Sequence, residues 1–392
     1  MTSAAPTGGR WAGFFGPALA GYCGLLIGVG MGRFGYPPLI PAMVEAGWAT
    51  PTTLHLAAAF NLAGYIVGAG TALATARLFG VRAAVALAAL LAVLAFAASA
   101  VPLPGWLFIA LRALSGATGG VMMIVIPPVI ANVVAPSHKG RANGLVFAGV
   151  GTGFVLSGTA VPAFAASGPA AAWLALAAVL ALASVVLMAL LPRSAPPEAP
   201  VRGQSAPAWR RDPAYLGLAA AYCGAAAGYV PHTIFFVDHV ARDLGFGLGV
   251  GGWIWVAAGL TAVVAPMVAG LAADRFGYAP VLRIIVGLMA IGAALPAVTH
   301  NLVLLTLSAM MAGGLMIGLG SSTSGRTREI VGPQAHTAAW ALQTVVFAVA
   351  QAGAAYGFTA LLAATGSHRL VFGLAGAIMA AGLAAELATA RR

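Results

Sequence analysis

Charge is what this sequence has least of: charged residues make up 7% of its 392 positions, and 8 of them are Asp or Glu. Soluble domains carry about 25% charged residues. A chain this poor in charge cannot cover a water-exposed surface. No acid falls in the middle of a long apolar run, since Glu45, Asp238 and Asp243 lie at one set of ends and Asp274, Glu329 and Glu386 at the other. That leaves no carboxylate at mid-run, and no catalytic dyad or metal cluster is found at depth. The 2 cysteines, Cys23 and Cys223, both sit in apolar stretches and suggest neither a disulfide framework nor a metal site. A Walker-type phosphate loop is missing, which disfavours a nucleotide-driven pump. The longest segment between apolar runs, 192–212, has 21 residues and leaves no room for a soluble output domain.

What is present is hydrophobicity. Apolar residues make up 61% of the chain and the mean hydropathy is +0.97, so lipid is the expected solvent for most of it. The 52 glycines agree, because small residues let helices approach closely in a bilayer. The net charge of +11 invites a nucleic-acid reading. The basic residues, however, lie in short segments between apolar runs rather than along one helical face, so nucleic acid is not an expected partner. Arg10 followed by an apolar run imitates a signal peptide. Pro17, the glycine-rich continuation and the lack of a clear cleavage site favour an uncleaved first helix.

Runs long enough to cross about 30 Å at 1.5 Å per residue predict twelve helices. They fall at 12–44, 53–76, 82–101, 105–134, 142–166 and 171–191, then 213–240, 249–273, 279–299, 302–325, 335–364 and 368–389. This predicts an all-α membrane protein of two six-helix bundles, 1–191 and 213–392, joined by a Pro- and Arg-rich cytoplasmic linker at 192–212. With both termini inside, fifteen Lys and Arg lie in inner segments and two, Arg242 and Arg369, in outer ones. That asymmetry sets the orientation. The remaining two, Arg33 and Arg112, fall within helices. Tyr22-Cys23-Gly24 with Gly28 recurs 200 residues later as Tyr222-Cys223-Gly224 with Gly228, in the first helix of each half, which points to duplication.

Gly270-Leu271-Ala272-Ala273-Asp274-Arg275-Phe276-Gly277 follows helix 8 on the inner side. It resembles the G-x-x-x-D-R-x-G signature of the major facilitator superfamily, in the loop where that family carries its second copy. The resemblance implies an inner gate latch built on Gly270, Asp274, Arg275 and Gly277; the plain alternative is that Asp274 and Arg275 merely end a helix. The first-half equivalent, Arg77-Leu78-Phe79-Gly80, has arginine where the aspartate belongs. Arg112 opens Arg112-Ala113-Leu114-Ser115-Gly116, similar to the superfamily's R-x-x-x-G motif in helix 4. Gly149-Val150-Gly151-Thr152-Gly153 in helix 5 is similar to the antiporter motif but lacks its proline, so antiport is unsupported. Finer similarity comes from Gly30-Met31-Gly32-Arg33-Phe34-Gly35-Tyr36 in helix 1, Asn61-Leu62-Ala63-Gly64-Tyr65 in helix 2, and Trp340 with Phe347-Ala348-Val349-Ala350-Gln351-Ala352-Gly353 in helix 11. Together these resemble the YbfB/YjiJ-type branch of the superfamily. That resemblance implies a secondary transporter of the bacterial inner membrane, without cofactor or metal and expected as a monomer.

Charges at membrane depth are expensive and therefore usually functional. Arg33 lies about 18 Å from the outer end of a continuous helix 1, and Arg112 about 10 Å below the outer surface. Asn61 and Tyr65 share one face of helix 2. With Tyr36 these groups are candidates for an outer-half substrate cavity; for Arg112 the alternative is that it satisfies backbone carbonyls and packs helix 4. In helix 7, Tyr229 and His232 flank Pro231, whose ring breaks helical hydrogen bonding. His232 is a candidate for substrate binding and proton coupling, or a hydrogen-bonded structural residue. Asp238 and the substrate's own proton are the other candidate proton carriers. Gln343, Phe347 and Gln351 recur every four residues along helix 11, facing either the cavity or a neighbouring helix. Two buried arginines without buried acids favour a small organic anion. Efflux of a lipophilic drug or metabolite is the alternative, and a transporter-like sensor the alternative of another class.

Overall fold

A computed structural model describes residues 12–135, 138–164, 167–193 and 208–389. Most of the expected linker at 192–212, and the terminal arginines Arg10, Arg391 and Arg392, lie outside the described residues. "Inner" and "outer" below follow the charge asymmetry.

Among the described residues all regular structure is helical. The first helix, α1, runs Ala12–Leu25, widens into a π turn at Leu26–Met31 and continues over Gly32–Phe34. It resumes as Leu39–Glu45 beyond Pro37 and Pro38. The continuous first helix expected from hydropathy is therefore broken just outside Arg33. Four glycines between positions 28 and 35 favour the helix weakly, and the two prolines cannot donate to it. Next come α2 (Pro51–Phe79), α3 (Val81–Ala98), α4 (Gly105–Val133), α5 (Lys139–Phe164) and α6 (Pro169–Leu190). Thr50 caps α2 by accepting from the Thr53 amide, and Pro51 occupies the position where its missing N–H costs nothing.

The second half opens with α7, which Asp212 caps. It is built from Pro213–Gly228, Val230–Ile234, Phe236–Asp238 and a π turn at His239–Asp243. The break falls where Pro231 predicts it. Then follow α8 (Gly247–Phe276) and α9 (Tyr278–Ala294). The helical piece Leu302–Ser308 and a π turn at Ala309–Gly314 lead into the run Met316–Thr365. Gly332, at φ 79° and ψ 165°, divides that run into α10 before it and α11 after it. The last helix is α12 (His368–Thr389). Among the described residues eleven helices are long and apolar enough to cross a membrane; α7, cut into pieces too short to qualify singly, supplies the twelfth crossing.

Gly80 (φ 82°) and Gly277 (φ 84°) are one-residue joints between α2 and α3 and between α8 and α9. A side chain is strained at such an angle. The signature segment 270–277 thus forms the last turns of α8 plus its hinge, where a loop was expected.

Small residues set the packing. A Cβ added at Gly64, Gly68 or Gly116 would lie 1.9 Å from a backbone oxygen across the α2–α4 contact, so these helices touch backbone to backbone. Helix α5 is glycine-lined on two faces. Gly149 and Gly153 meet α1 at Tyr22 and Gly30, while Gly151 and Gly158 meet α8 at Gly259 and Gly252. The glycine run in helix 5 is thereby explained by close approach. The Tyr-Cys-Gly repeat fares differently: Gly24 and Gly28 pack on α4, whereas Gly224 and Gly228 pack on α12. The two copies of that match thus meet different helices.

Candidate functional site

The break in α1 frees backbone oxygens at membrane depth, and each must find a donor. Asn61 Nδ2 donates to the Gly32 oxygen (3.0 Å) and to the Arg112 oxygen (3.0 Å), and Ser115 Oγ donates to Gly32 as well. The Phe34 oxygen accepts from Ser157 Oγ (3.0 Å) and from Trp255 Nε1 (3.2 Å), the latter reaching over from α8. Asn61 is therefore consumed in holding α1, α2 and α4 together.

Arg33 projects into the seam between the halves. Its Nη1 donates to Gln351 Oε1 of α11 at 2.9 Å. Its guanidinium lies 5.0 Å from the Phe34 ring and 5.4 Å from the Tyr229 ring. Nη2 has no hydrogen-bond partner, and among the described residues no carboxylate pairs with this cation. Beside it lies a small cavity of about 10 Å³, room for about one water. Arg33, Tyr36, Pro37, Ala58, Asn61 and Leu62 line it from the first half, and Thr233 and Ile234 from the second. Tyr229 is buried, Tyr65 half-buried. Toward the inner side, Tyr222 lies 4.5 Å from Phe347 and 5.8 Å from Trp340 by ring centroids, an aromatic patch on α7 and α11.

Farther out the halves are clasped. His55 Nε2 of α2 lies 3.2 Å from Asp238 Oδ2 of α7, both side chains at most 4% exposed. Arg242 holds the same carboxylate with two hydrogen bonds. The His55 ring meets Phe235 edge-on at 4.8 Å, and Phe60 of α2 meets Tyr356 of α11. On the side toward α5 and α8, Phe34 stacks on Phe154, whose ring meets Trp255 at a tilt. Asp238, expected near the outer end, is thus buried under a histidine that the sequence reading did not single out.

Several expected site residues face elsewhere. Arg112 is fully buried inside the first half, donating to the Ala95 oxygen (3.2 Å) and Ser99 Oγ (3.1 Å). The rings of Tyr36, Phe96, Phe108 and Trp173 surround it at 4.6–5.7 Å. It does not converge with Arg33, because the side of α4 that carries it turns toward α3 and α6. Tyr36, which also lines the Arg33 cavity, packs against that group and donates its hydroxyl to the Leu54 oxygen. His232 is closed off inside the second half, bonded to Ser308 Oγ at 2.7 Å and stacked on Phe236. Gln343 accepts from Thr327 between α10 and α11, so the polar stripe splits: Gln343 joins neighbouring helices and Gln351 reaches across the seam. At the inner end, Asp274 and Arg275, the side chains expected to form an inner latch, are exposed and make no ion pair among the described residues in this arrangement, and Gly270 faces open space.

A helical chain clasped at its outer side, with broken crossings framing a seam, has the build of a solute transporter. A family profile described as "Uncharacterised MFS-type transporter YbfB" matches residues 25–387. The chain belongs to this family of the major facilitator superfamily: it is a multi-pass membrane transporter, not an enzyme. Among solved structures, the crystal structure of a D-xylose-proton symporter superposes with a TM-score of 0.68 at 18% identity, covering 95% of this chain and 97% of that one. At that identity the likeness establishes the fold. A search of curated proteins finds no match.

Proposed function

We propose that this transporter moves a small organic anion by rocking its two halves, 1–191 and 213–392, about the seam that holds Arg33. The observation that carries the reading is Arg33 itself: a cation between the halves at membrane depth, bonded to a neutral amide and flanked by two rings. A charge left without a counter-ion in such a place is costly, and a carboxylate entering the seam relieves that cost through charge-assisted hydrogen bonds. Gln351, Tyr229 and Tyr65 stand around it as neutral groups that can orient the rest of the molecule. Protons are the proposed coupling ion, a reading that the kinship in fold with a proton symporter supports. The chain is taken to sit in the bacterial inner membrane as a monomer with both termini inside.

Rocking requires the outer clasp, His55 with Asp238, to part before the site reaches the outer side, while Asp274 and Arg275 become a latch at the inner end. The aromatic patch of Tyr222, Trp340 and Phe347 favours a second reading, efflux of a lipophilic metabolite. The two readings meet in an anion with an apolar body.

The test is a thermal-shift panel of organic anions, amphiphilic cations and sugars on purified protein, repeated on Arg33→Ala. The expected outcome is stabilisation by a carboxylate that Arg33→Ala abolishes. Stabilisation by cations or sugars, unaffected by that substitution, would sink the anion reading.

A further inference from the structure

A separate cluster lies at the outer corner where α7 meets α12, away from Arg33. The π turn His239–Asp243 brings its first and last residues together, and α12 begins with His368 beside them. Asp243 Oδ2 stands 3.1 Å from His239 Nδ1 and 2.8 Å from His368 Nδ1. The two imidazoles stack with centroids 4.7 Å apart, and Phe372 walls both. One ligand atom from each of the three residues lies within 4.8 Å of the other two. Ligands held about 2.0–2.1 Å from a tetrahedral zinc ion stand roughly 3.3 Å apart, so the three atoms already approach that spacing.

Among the described residues no polar group other than Asp243 bonds these rings, and Nε2 of each has no partner. The nearby cation Arg242 is engaged with Asp238. The side chains are 6% (His239), 14% (His368) and 36% (Asp243) exposed, so an ion has a way in from the outer solvent. Two imidazole nitrogens and one carboxylate oxygen are a donor set for borderline divalent transition metals such as zinc, nickel or cobalt, and a poor one for calcium or magnesium.

We propose that His239, Asp243 and His368 form a binding site for one divalent transition-metal ion on the outer face of the protein. Water occupies the fourth position of a tetrahedral ion. Each imidazole binds through Nδ1 with its proton on Nε2, so a doubly protonated ring releases its Nδ1 proton to water. The ion ties the start of α12 to the π turn of α7, whose His239 adjoins Asp238.

The test is calorimetric titration of the full chain, freed of any histidine tag, with zinc chloride in detergent, together with a melting curve with and without zinc. Wild type is expected to bind one zinc per chain and to melt higher with it. His368→Ala and Asp243→Asn are expected to bind at least tenfold more weakly and to lose the zinc-dependent melting shift, whereas substitution of a histidine remote from the cluster, His336→Ala in α11 beside Ser324, retains both. His368→Gln, close in size, replaces His368→Ala if the latter does not fold. Absence of one-to-one binding in wild type, or undiminished binding in the folded variants, overturns the proposal.

Discussion

The molecule holds two arginines at membrane depth, and their surroundings differ in one respect that decides their roles. Arg112 takes every partner from the first half: carbonyl and hydroxyl oxygens of α3 and the rings of Tyr36, Phe96, Phe108 and Trp173. Cation–π attraction of about 2 kcal/mol for a desolvated pair offsets part of its burial, and none of those partners leaves when the halves rock. Arg33 takes Gln351 and Tyr229 from the second half, so its surroundings change with every rocking motion. Both arginines are at depth; what separates them, and what the proposed function rests on, is which half their partners belong to.

That contrast can be broken in graded ways. The largest effect is expected at Arg33, where Ala should weaken binding of a carboxylate ligand about 10- to 100-fold, the equivalent of a charged hydrogen bond worth about 1.5–3 kcal/mol. Arg112→Met, which fills similar volume with an apolar chain, should change that affinity by less than about threefold and act on the melting temperature; thermal shift and calorimetry read both. Next comes the glycine seam. A Cβ at Gly151 would stand 2.6 Å from Val263 and 2.8 Å from the Gly259 oxygen across the halves, so Gly151→Leu should wedge α5 from α8 and slow transport about tenfold, because overpacked contacts cost about 1–3 kcal/mol. His55→Ala should loosen the outer clasp. With Cys23 and Cys223 replaced by Ala, a cysteine at position 58 beside the Arg33 cavity should then react several-fold faster with an impermeant maleimide applied from outside. The smallest effect belongs to Gln343→Leu, which removes one bond to Thr327, worth about 1 kcal/mol, and should leave ligand affinity unchanged.

Much of the architecture was legible because hydropathy reports depth directly. The twelve crossings were read within a few residues, and Pro231 marked the break in α7. Direction around a helix axis was not legible. Arg112 and Arg33 read alike along the chain, since which side of a crossing meets another bundle depends on packing by distant helices. The same holds for Gln343 and Gln351, equivalent by spacing and divided by their neighbours. His55 escaped notice because it sits little more than one turn into α2, where a histidine looks interfacial; only the approach of α7 buries it. The pairing of His239 and Asp243 with His368 had no local signal at all, because 125 residues separate Asp243 from His368.

Uptake of the stabilising anion into proteoliposomes, with wild type, Arg33→Ala and Arg112→Met run side by side, tests the central claim most directly. Uptake is expected from wild type and from Arg112→Met, and at least about tenfold slower uptake, at anion concentrations below saturation, from Arg33→Ala. Wild-type uptake by a folded Arg33→Ala protein would contradict the claim.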